Sequence, residues 1–183
     1  MGKYFDPPGF AGINFFMEDE KRYKTAQKYH IFARELRGRI LNSVAVIDTK
    51  MAEILTEYFC RNSFNKDLFF SEIAIRPSFG LEAKFDLILK ILKKDFDFYI
   101  KDNPNMKSEF KKIREFRNKL AHAPIDVSDK ALGEDQVKGV GFVIYKDGEM
   151  RIEFVTFEMA EDYQVKINTL SSNLKDILRF VKR

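Results

Sequence analysis

An arginine, an asparagine and a histidine lie within six residues of one another in the stretch R-N-K-L-A-H. Arg117 and Asn118 open this stretch and His122 closes it, and the whole chain has only two histidines. A guanidinium group stabilises the charge that develops on phosphate oxygens. An imidazole transfers protons near neutral pH. Together these residue types are suited to cleaving a phosphodiester without a metal ion.

One helix is predicted to position these side chains. Between residues 105 and 122 the apolar residues recur every three or four positions, which predicts one buried helical face. They are Phe110, Ile113, Phe116 and Leu120. Pro124 disfavours helical backbone at Ala123, so the helix should end near His122.

A basic strip is predicted along another side of this helix. At about 100° per residue, Arg114, Asn118 and His122 align, with Lys111 beside them. Arg117 projects between the strip and the apolar face, so it should be partly buried, and Asp48 is one candidate for its partner. The alternative is a solvated polar face whose terminal histidine interacts favourably with the helix dipole. Residue types alone favour this alternative, because most charged stripes lie at the surface. The other histidine, His30, is predicted to be structural.

The segment I-R-E-F-R-N-K-L-A-H resembles the signature of the HEPN superfamily. That signature is an arginine, usually followed directly by a polar residue, and a histidine four to six residues further on. Arg117, Asn118 and His122 match the three positions. Residues 41–59 and 78–92 are similar to the preceding helices in the mannitol operon repressor-like branch. The resemblance covers about residues 20–125 and implies a HEPN-like antiparallel helical bundle.

The resemblance also implies an activity, that of a metal-independent RNA endonuclease that works as a homodimer. His122 would act as base on the ribose 2′-hydroxyl or as acid on the leaving oxygen, and Arg117 would hold the phosphate oxygens. Asn118 would orient His122 from one helical turn away. Flanking phosphates would be bound by Lys111, Arg114 and Lys119. DNA would resist cleavage because it lacks the 2′-hydroxyl.

Two other functions remain open. Mannitol repressor-like proteins are linked to transcriptional control, so the chain could be a non-catalytic regulatory module that binds nucleic acid or protein. It could also be an interaction module whose arginine and histidine stabilise a dimer. As an enzyme it would be a toxin or a phage-defence effector. An antitoxin or a regulatory protein is the expected partner besides RNA and a second copy of the chain.

The composition restricts the class of protein. The chain has 183 residues, of which 45% are hydrophobic and 33% charged, and its net charge is +4. This basic balance is compatible with an RNA partner. The single cysteine, Cys60, excludes a disulfide within the sequence and a cysteine-based zinc site. The sequence lacks a glycine-rich phosphate-binding loop of the kind found in NTPases, which argues against that class of enzyme. No apolar run reaches the roughly 18 residues that a membrane span needs. We expect a cytoplasmic protein without membrane association, metal or cofactor.

The rest of the pattern predicts a mainly α fold with a C-terminal β-hairpin and a final helix. Residues 1–17, with prolines and glycines among aromatics, predict an irregular arm. Residues 18–125 predict the helical domain. Residues 126–183 are predicted to pack on the same domain as a loop, a hairpin and a last helix.

Finer boundaries follow from turn residues and periodicity. The helical run 18–64 is expected to break near Arg37 and Gly38. Further helices are expected over 68–74 and 81–101, and a loop over 125–138. Asp147-Gly148, flanked by alternating β-rich residues, predicts a hairpin over 140–157. A stripe of apolar residues predicts the final helix over 158–182.

Overall fold

The computed structural model describes residues 3–5, 15–17, 20–126, 128 and 139–183. These residues are mostly helical and include two antiparallel pairs of strands. The mainly α class with a hairpin and a final helix is therefore confirmed. The chain divides into two compact units. The first unit comprises residues 1–37 and 122–160, and the second comprises residues 38–121 and 161–183. The domain boundaries after residues 17 and 125 stay predictions.

Helices account for most of the described chain. The α-helices are α1 (Glu20–Cys60), α2 (Lys66–Phe69), α3 (Leu81–Asp95), α4 (Asp97–Asp102), α5 (Met106–His122) and α6 (Phe157–Val181). A π-helical turn, Phe70–Ala74, continues α2. The strands are β1 (Lys3–Phe5), β2 (Phe15–Met17), β3 (Gly139–Lys146) and β4 (Glu149–Thr156).

Helix α1 runs without interruption through Arg37 and Gly38, so the predicted break there is wrong. Glycine inside a helix costs about 1 kcal/mol relative to alanine. Each further residue of an established helix adds a hydrogen bond, however, and the buried face continues on both sides of the glycine. Leu36, Ile40 and Val44 all lie on that face at 3% exposure or less. The first residues of the predicted helix, 18 and 19, lie outside the described residues.

The predicted irregular arm contains a pair of short strands. Lys3–Phe5 pairs antiparallel with Phe15–Met17, with Tyr4 opposite Phe16, so the prediction is wrong for these residues. Aromatic residues favour strands, and the prolines and glycines that suggested irregular backbone fall between the two strands. The remainder of the arm, residues 1–2 and 6–14, lies outside the described residues.

The predicted hairpin is confirmed. Strands β3 and β4 pair antiparallel with Val143 opposite Ile152. Asp147 and Gly148 connect them with φ values of 55° and 80°, and two left-handed residues in succession are the type I′ geometry that suits a twisted hairpin. The predicted loop over 125–138 begins in contact with this hairpin, because Ile125 forms a β-bridge with Phe142. Its residues 127 and 129–138 lie outside the described part of the chain.

At its other end the hairpin needs a glycine. A Cβ at Gly139 would lie 2.3 Å from the carbonyl oxygen of Val155. That distance is far inside van der Waals contact. Only a residue without a side chain allows the two strands to approach this closely at residue 139.

In the second unit, the helix predicted over 81–101 is two helices. Phe96 interrupts them with φ −140° and ψ 42°. The rings of Phe96, Phe98 and Tyr99 surround Phe180 of α6, with centroid distances of 6.3, 5.6 and 5.7 Å. Burial and, secondarily, Asp176 raise the pKa of Tyr99 to about 12. Aromatic packing of this kind contributes about 0.5–1.5 kcal/mol per pair, and it favours the interruption at Phe96.

Helix α5 packs between α3 and α6 through two stacked aromatic pairs. The Phe85 and Phe110 rings are 3.8 Å apart and nearly parallel, as are the Phe116 and Tyr163 rings. The apolar face predicted for α5 is fully buried. The final helix is confirmed as α6. Five residues of its predicted stripe are buried: Ile167, Leu170, Leu174, Ile177 and Val181.

The lowered pKa of His30 should make the free energy of unfolding depend on pH. It is buried in α1, and burial first and Arg37 second lower its pKa from 6.5. The unfolded chain therefore binds this proton more readily than the folded one. The contribution of His30 to the free energy of unfolding should fall as the pH drops below about 6.5 and level off below the lower, folded pKa. Urea unfolding between about pH 7.5 and pH 5 measures this decline.

Comparison of two variants isolates His30 from the carboxylates, which also titrate in acid. His30→Gln should show a smaller decline than the parent chain over this range. His122→Ala, which removes the exposed histidine, should retain the full decline. An equal decline in all three proteins would refute the assignment to His30.

Candidate functional site

Helix α5 carries the three residues that the sequence selected. His122 is its last residue, as predicted. Arg117 is half-buried, and Asn118 and His122 are exposed. Arg117 and Asn118 belong to the second compact unit and His122 to the first.

The side chain of Asn118 orients the guanidinium of Arg117 through a hydrogen bond. The guanidinium Nη1 donates a hydrogen bond to the Asn118 side-chain oxygen at 3.1 Å. A fixed guanidinium loses less conformational freedom when it binds an anion. The amide nitrogen of Asn118 still has donors for a phosphate or an imidazole. Orientation of His122 by Asn118 stays a prediction.

Carboxylates accompany the basic strip. Arg114 forms an ion pair with Glu82 of α3, and Lys111 contacts Glu115 at 3.9 Å. Lys119 is half-buried. An RNA phosphate that binds Arg114 must therefore compete with a carboxylate, so the strip is less strongly cationic than its sequence suggested.

A buried lysine is the partner of Asp48. Lys84 of α3 is 1% exposed, and its ammonium donates to both Asp48 oxygens at 2.8 and 2.9 Å. The structure thus pairs Asp48 with Lys84, and the suggestion that it pairs with Arg117 is wrong. The sequence held a signal for this contact, because Lys84 falls on the apolar face of α3 beside Phe85, and a buried charge requires a counter-charge.

Arg117 lines a cavity of about 520 Å³ in the second unit. The α1 side of its wall includes Asp48, and the α5 side consists of Arg114, Arg117 and Asn118. The turn before α3 and the first residues of that helix complete the wall with Ile75, Pro77, Phe79, Gly80, Leu81 and Glu82. Two guanidinium groups, two carboxylates and an aromatic ring therefore meet in one concave site. Neither Phe79 nor Glu82 was expected at the site from the sequence.

Arg37, in the first unit, binds the backbone directly after His122. Its Nη2 donates to the carbonyl oxygen of Ala123, and its guanidinium lies 5.4 Å from the centre of the Phe142 ring. Burial lowers the pKa of Arg37. A cation bound to a carbonyl at a helix C-terminus stabilises that end of the helix. Arg37 therefore helps to fix the position at which α5 stops.

The described residues contain neither a metal-binding cluster nor a membrane-spanning helix. No group of three or more histidine, cysteine, aspartate or glutamate side chains in that part of the chain is arranged to hold a metal ion. Within the same residues, every helix is too short or too polar to cross a membrane. Comparison with models of protein families, with curated proteins and with solved structures finds no match to this chain.

Proposed function

We propose that this chain is a HEPN-like, metal-independent endoribonuclease that acts as a homodimer. The observation that carries the proposal is the placement of Arg117, Asn118 and His122 on one uninterrupted helix, with Arg117 held by Asn118 and lining a cavity. Within HEPN-like proteins the activity would suit a toxin or a phage-defence effector, with an antitoxin or regulatory protein as partner.

In the proposed reaction the ribose 2′-oxygen attacks the adjacent phosphorus and the bond from phosphorus to the 5′-oxygen breaks. His122 removes the 2′-proton, and its exposure gives it access to RNA. Arg117 stabilises the charge on the non-bridging oxygens, and its half-buried position reduces screening by solvent. The leaving 5′-oxygen needs a proton from a second group. The same histidine of a second copy would supply it, which is why the proposal includes a dimer.

Cleavage in the presence of a chelator tests the activity. Purified protein with excess EDTA should cut single-stranded RNA and leave 2′,3′-cyclic phosphate ends. DNA of the same sequence should remain intact because it lacks the attacking hydroxyl. RNA that stays intact, or fragments without a cyclic phosphate, would contradict the proposal. A contaminating nuclease would cut equally in a parallel preparation of the His122→Ala variant.

Light scattering tests the dimer. The mass in solution should be twice the 21.5 kDa of one chain at micromolar concentration. A monomer throughout that range would exclude a site shared between two copies. Cleavage by a monomer would assign the second proton transfer to another group of the same chain.

A regulatory or protein-binding module is the second candidate function. Apolar side chains on the hairpin favour it, because Tyr145, Met150, Ile152 and Phe154 are between 44% and 76% exposed. Exposed apolar patches mark interaction surfaces. The ion pairs of Arg114 and Lys111 with carboxylates also favour it, since they reduce the attraction of the strip for phosphates. This candidate requires a folded protein that binds a partner and cuts no RNA.

A further inference from the structure

The cavity beside Arg117 has the size and the chemistry of a nucleotide site. Its volume of about 520 Å³ lies within the range of small-molecule sites, and it is confined to the second unit. We infer that it binds one guanine nucleotide, with the phosphate at the arginines, the base on Phe79 and the base edge at the Asp48 carboxylate. Its role in selecting the RNA rests on the proposed function, whereas nucleotide binding itself does not.

The phosphate end is defined by Arg117 and Arg114. Both guanidinium groups line the cavity. Asn118 holds Arg117 by a hydrogen bond, whereas a phosphate must displace the Glu82 carboxylate from Arg114. Guanidinium groups bind phosphate through paired N–H donors. A guanidinium that is already fixed also loses little freedom when the anion binds. Arg117 therefore provides a prepared phosphate site on the α5 side of the cavity, and Arg114 adds to it when the phosphate replaces Glu82.

The stacking surface is provided by Phe79. This half-buried ring lies in the turn before α3, with Ile75 and Pro77 also on the cavity wall. Aromatic side chains stack on nucleic acid bases, and one such stack increases affinity by roughly tenfold. Stacking does not distinguish strongly between bases, so specificity must come from polar groups.

The polar groups favour guanine. Asp48 lines the cavity, and an ionised carboxylate accepts hydrogen bonds without donating them. Glu82, the other carboxylate of the wall, is paired with Arg114 at the phosphate end. Guanine presents two adjacent donors on its Watson–Crick edge, N1–H and the exocyclic amine, and a carboxylate can accept both. The edges of adenine, cytosine and uracil each present only one such donor group beside an acceptor, which a carboxylate would repel. Lys84 binds both oxygens of Asp48 from the protein interior, which fixes the carboxylate.

A guanine nucleotide could reach this cavity as part of RNA or as a free molecule. The ligand chemistry is the same in both cases. As part of RNA, a bound guanosine would place its own phosphate at Arg117, so cleavage would occur next to guanosine. Competition between guanosine monophosphate (GMP) and an RNA containing one guanosine separates the two sources.

Titration calorimetry of the full chain with single nucleotides tests the inference. GMP should bind at least about tenfold more tightly than the monophosphates of adenosine, cytidine and uridine. Inosine monophosphate lacks only the exocyclic amine and should bind about tenfold more weakly than GMP. This ligand series probes the Asp48 carboxylate without substituting it, since its removal would leave Lys84 buried without its partner.

Two variants test the stacking surface. Phe79→Leu keeps an apolar side chain of similar size without an aromatic face, and Phe79→Ala removes it; both should weaken GMP binding by about tenfold or more. Phe64→Ala is the matched control, because Phe64 is fully exposed and does not line the cavity. It should leave the affinity for GMP unchanged.

The outcomes separate this inference from the proposed activity. Equal affinity for all nucleotides, no GMP binding at millimolar concentration, or full affinity in both Phe79 variants would overturn it, even if the protein cuts RNA. Selective GMP binding supports it, even if no RNA is cut. Displacement of the single-guanosine RNA by GMP identifies RNA as the source of the base, and selective GMP binding without displacement identifies the free nucleotide.

Discussion

Replacement of His122 by alanine should lower the rate of RNA cleavage by about 10²- to 10⁴-fold and leave the fold intact. In the proposed reaction the imidazole supplies the first proton transfer. Because His122 is exposed at the end of α5, its removal creates no cavity in the core. The measurement is kcat/KM on a defined oligoribonucleotide, with circular dichroism as the check on folding. Undiminished cleavage by this variant would show that the active site lies elsewhere.

Variants of Arg117 should separate charge from geometry. Arg117→Ala should cost about 10²- to 10³-fold, because the charge on the phosphate oxygens loses its principal donor. Arg117→Lys should recover part of this loss, since it restores the charge but not the planar fork of donors. Arg179→Ala is a suitable control, because Arg179 is exposed on α6 and pairs only with Asp176 in the described contacts. Asn118→Ala should cost less than Arg117→Ala, because it releases the guanidinium without removing it.

Loss of the Asp48 carboxylate should have the largest effect on stability. Asp48→Ala leaves the ammonium of Lys84, 1% exposed, without its counter-charge. Breaking a buried ion pair costs about 3–5 kcal/mol, and the value here should fall near 3 kcal/mol because Asp48 itself is 30% exposed. Urea unfolding gives the change in the free energy of unfolding.

A second substitution shows whether the loss of stability in Asp48→Ala comes from the unpaired buried charge of Lys84 or from lost packing. Lys84→Met keeps the volume and removes the charge, so it should be neutral or stabilising, and Asp48→Ala combined with Lys84→Met should regain most of the loss. Asp162, 77% exposed and 3.7 Å from Lys166, provides the surface comparison. Asp162→Ala should change stability by less than about 1 kcal/mol. A similarly small effect of Asp48→Ala would contradict the buried-charge explanation.

Local signals made some elements predictable. The three- and four-residue spacing of Phe110, Ile113, Phe116 and Leu120 identified α5 together with its buried face. Asp147-Gly148 identified the hairpin, because the required backbone conformation is a property of those two residues. The positions of Arg117, Asn118 and His122 on α5 followed from the same spacing.

Features that depend on distant residues were not predictable in this way. Phe96 interrupts a helical pattern because its neighbours pack on Phe180, which lies more than eighty residues away in the sequence. The pairing of β1 with β2 depends on a contact across the arm. The cavity is formed by three separate segments, so the strip on α5 gave no sign of Phe79. The sequence placed Arg117, Asn118 and His122 on α5 but gave no indication of the surface around them.

The close approach at Gly139 has a consequence for how this sequence can diverge. A side chain there would meet a backbone carbonyl, which cannot rotate away. At Gly38 and Gly80 an added Cβ would meet no atom within 4 Å, so those glycines can be replaced without steric conflict. Over evolutionary time, glycine should persist at position 139 wherever this hairpin is retained, while the other two positions drift. A distant homologue would therefore be easier to recognise by a glycine one strand-length before a D-G turn than by overall identity.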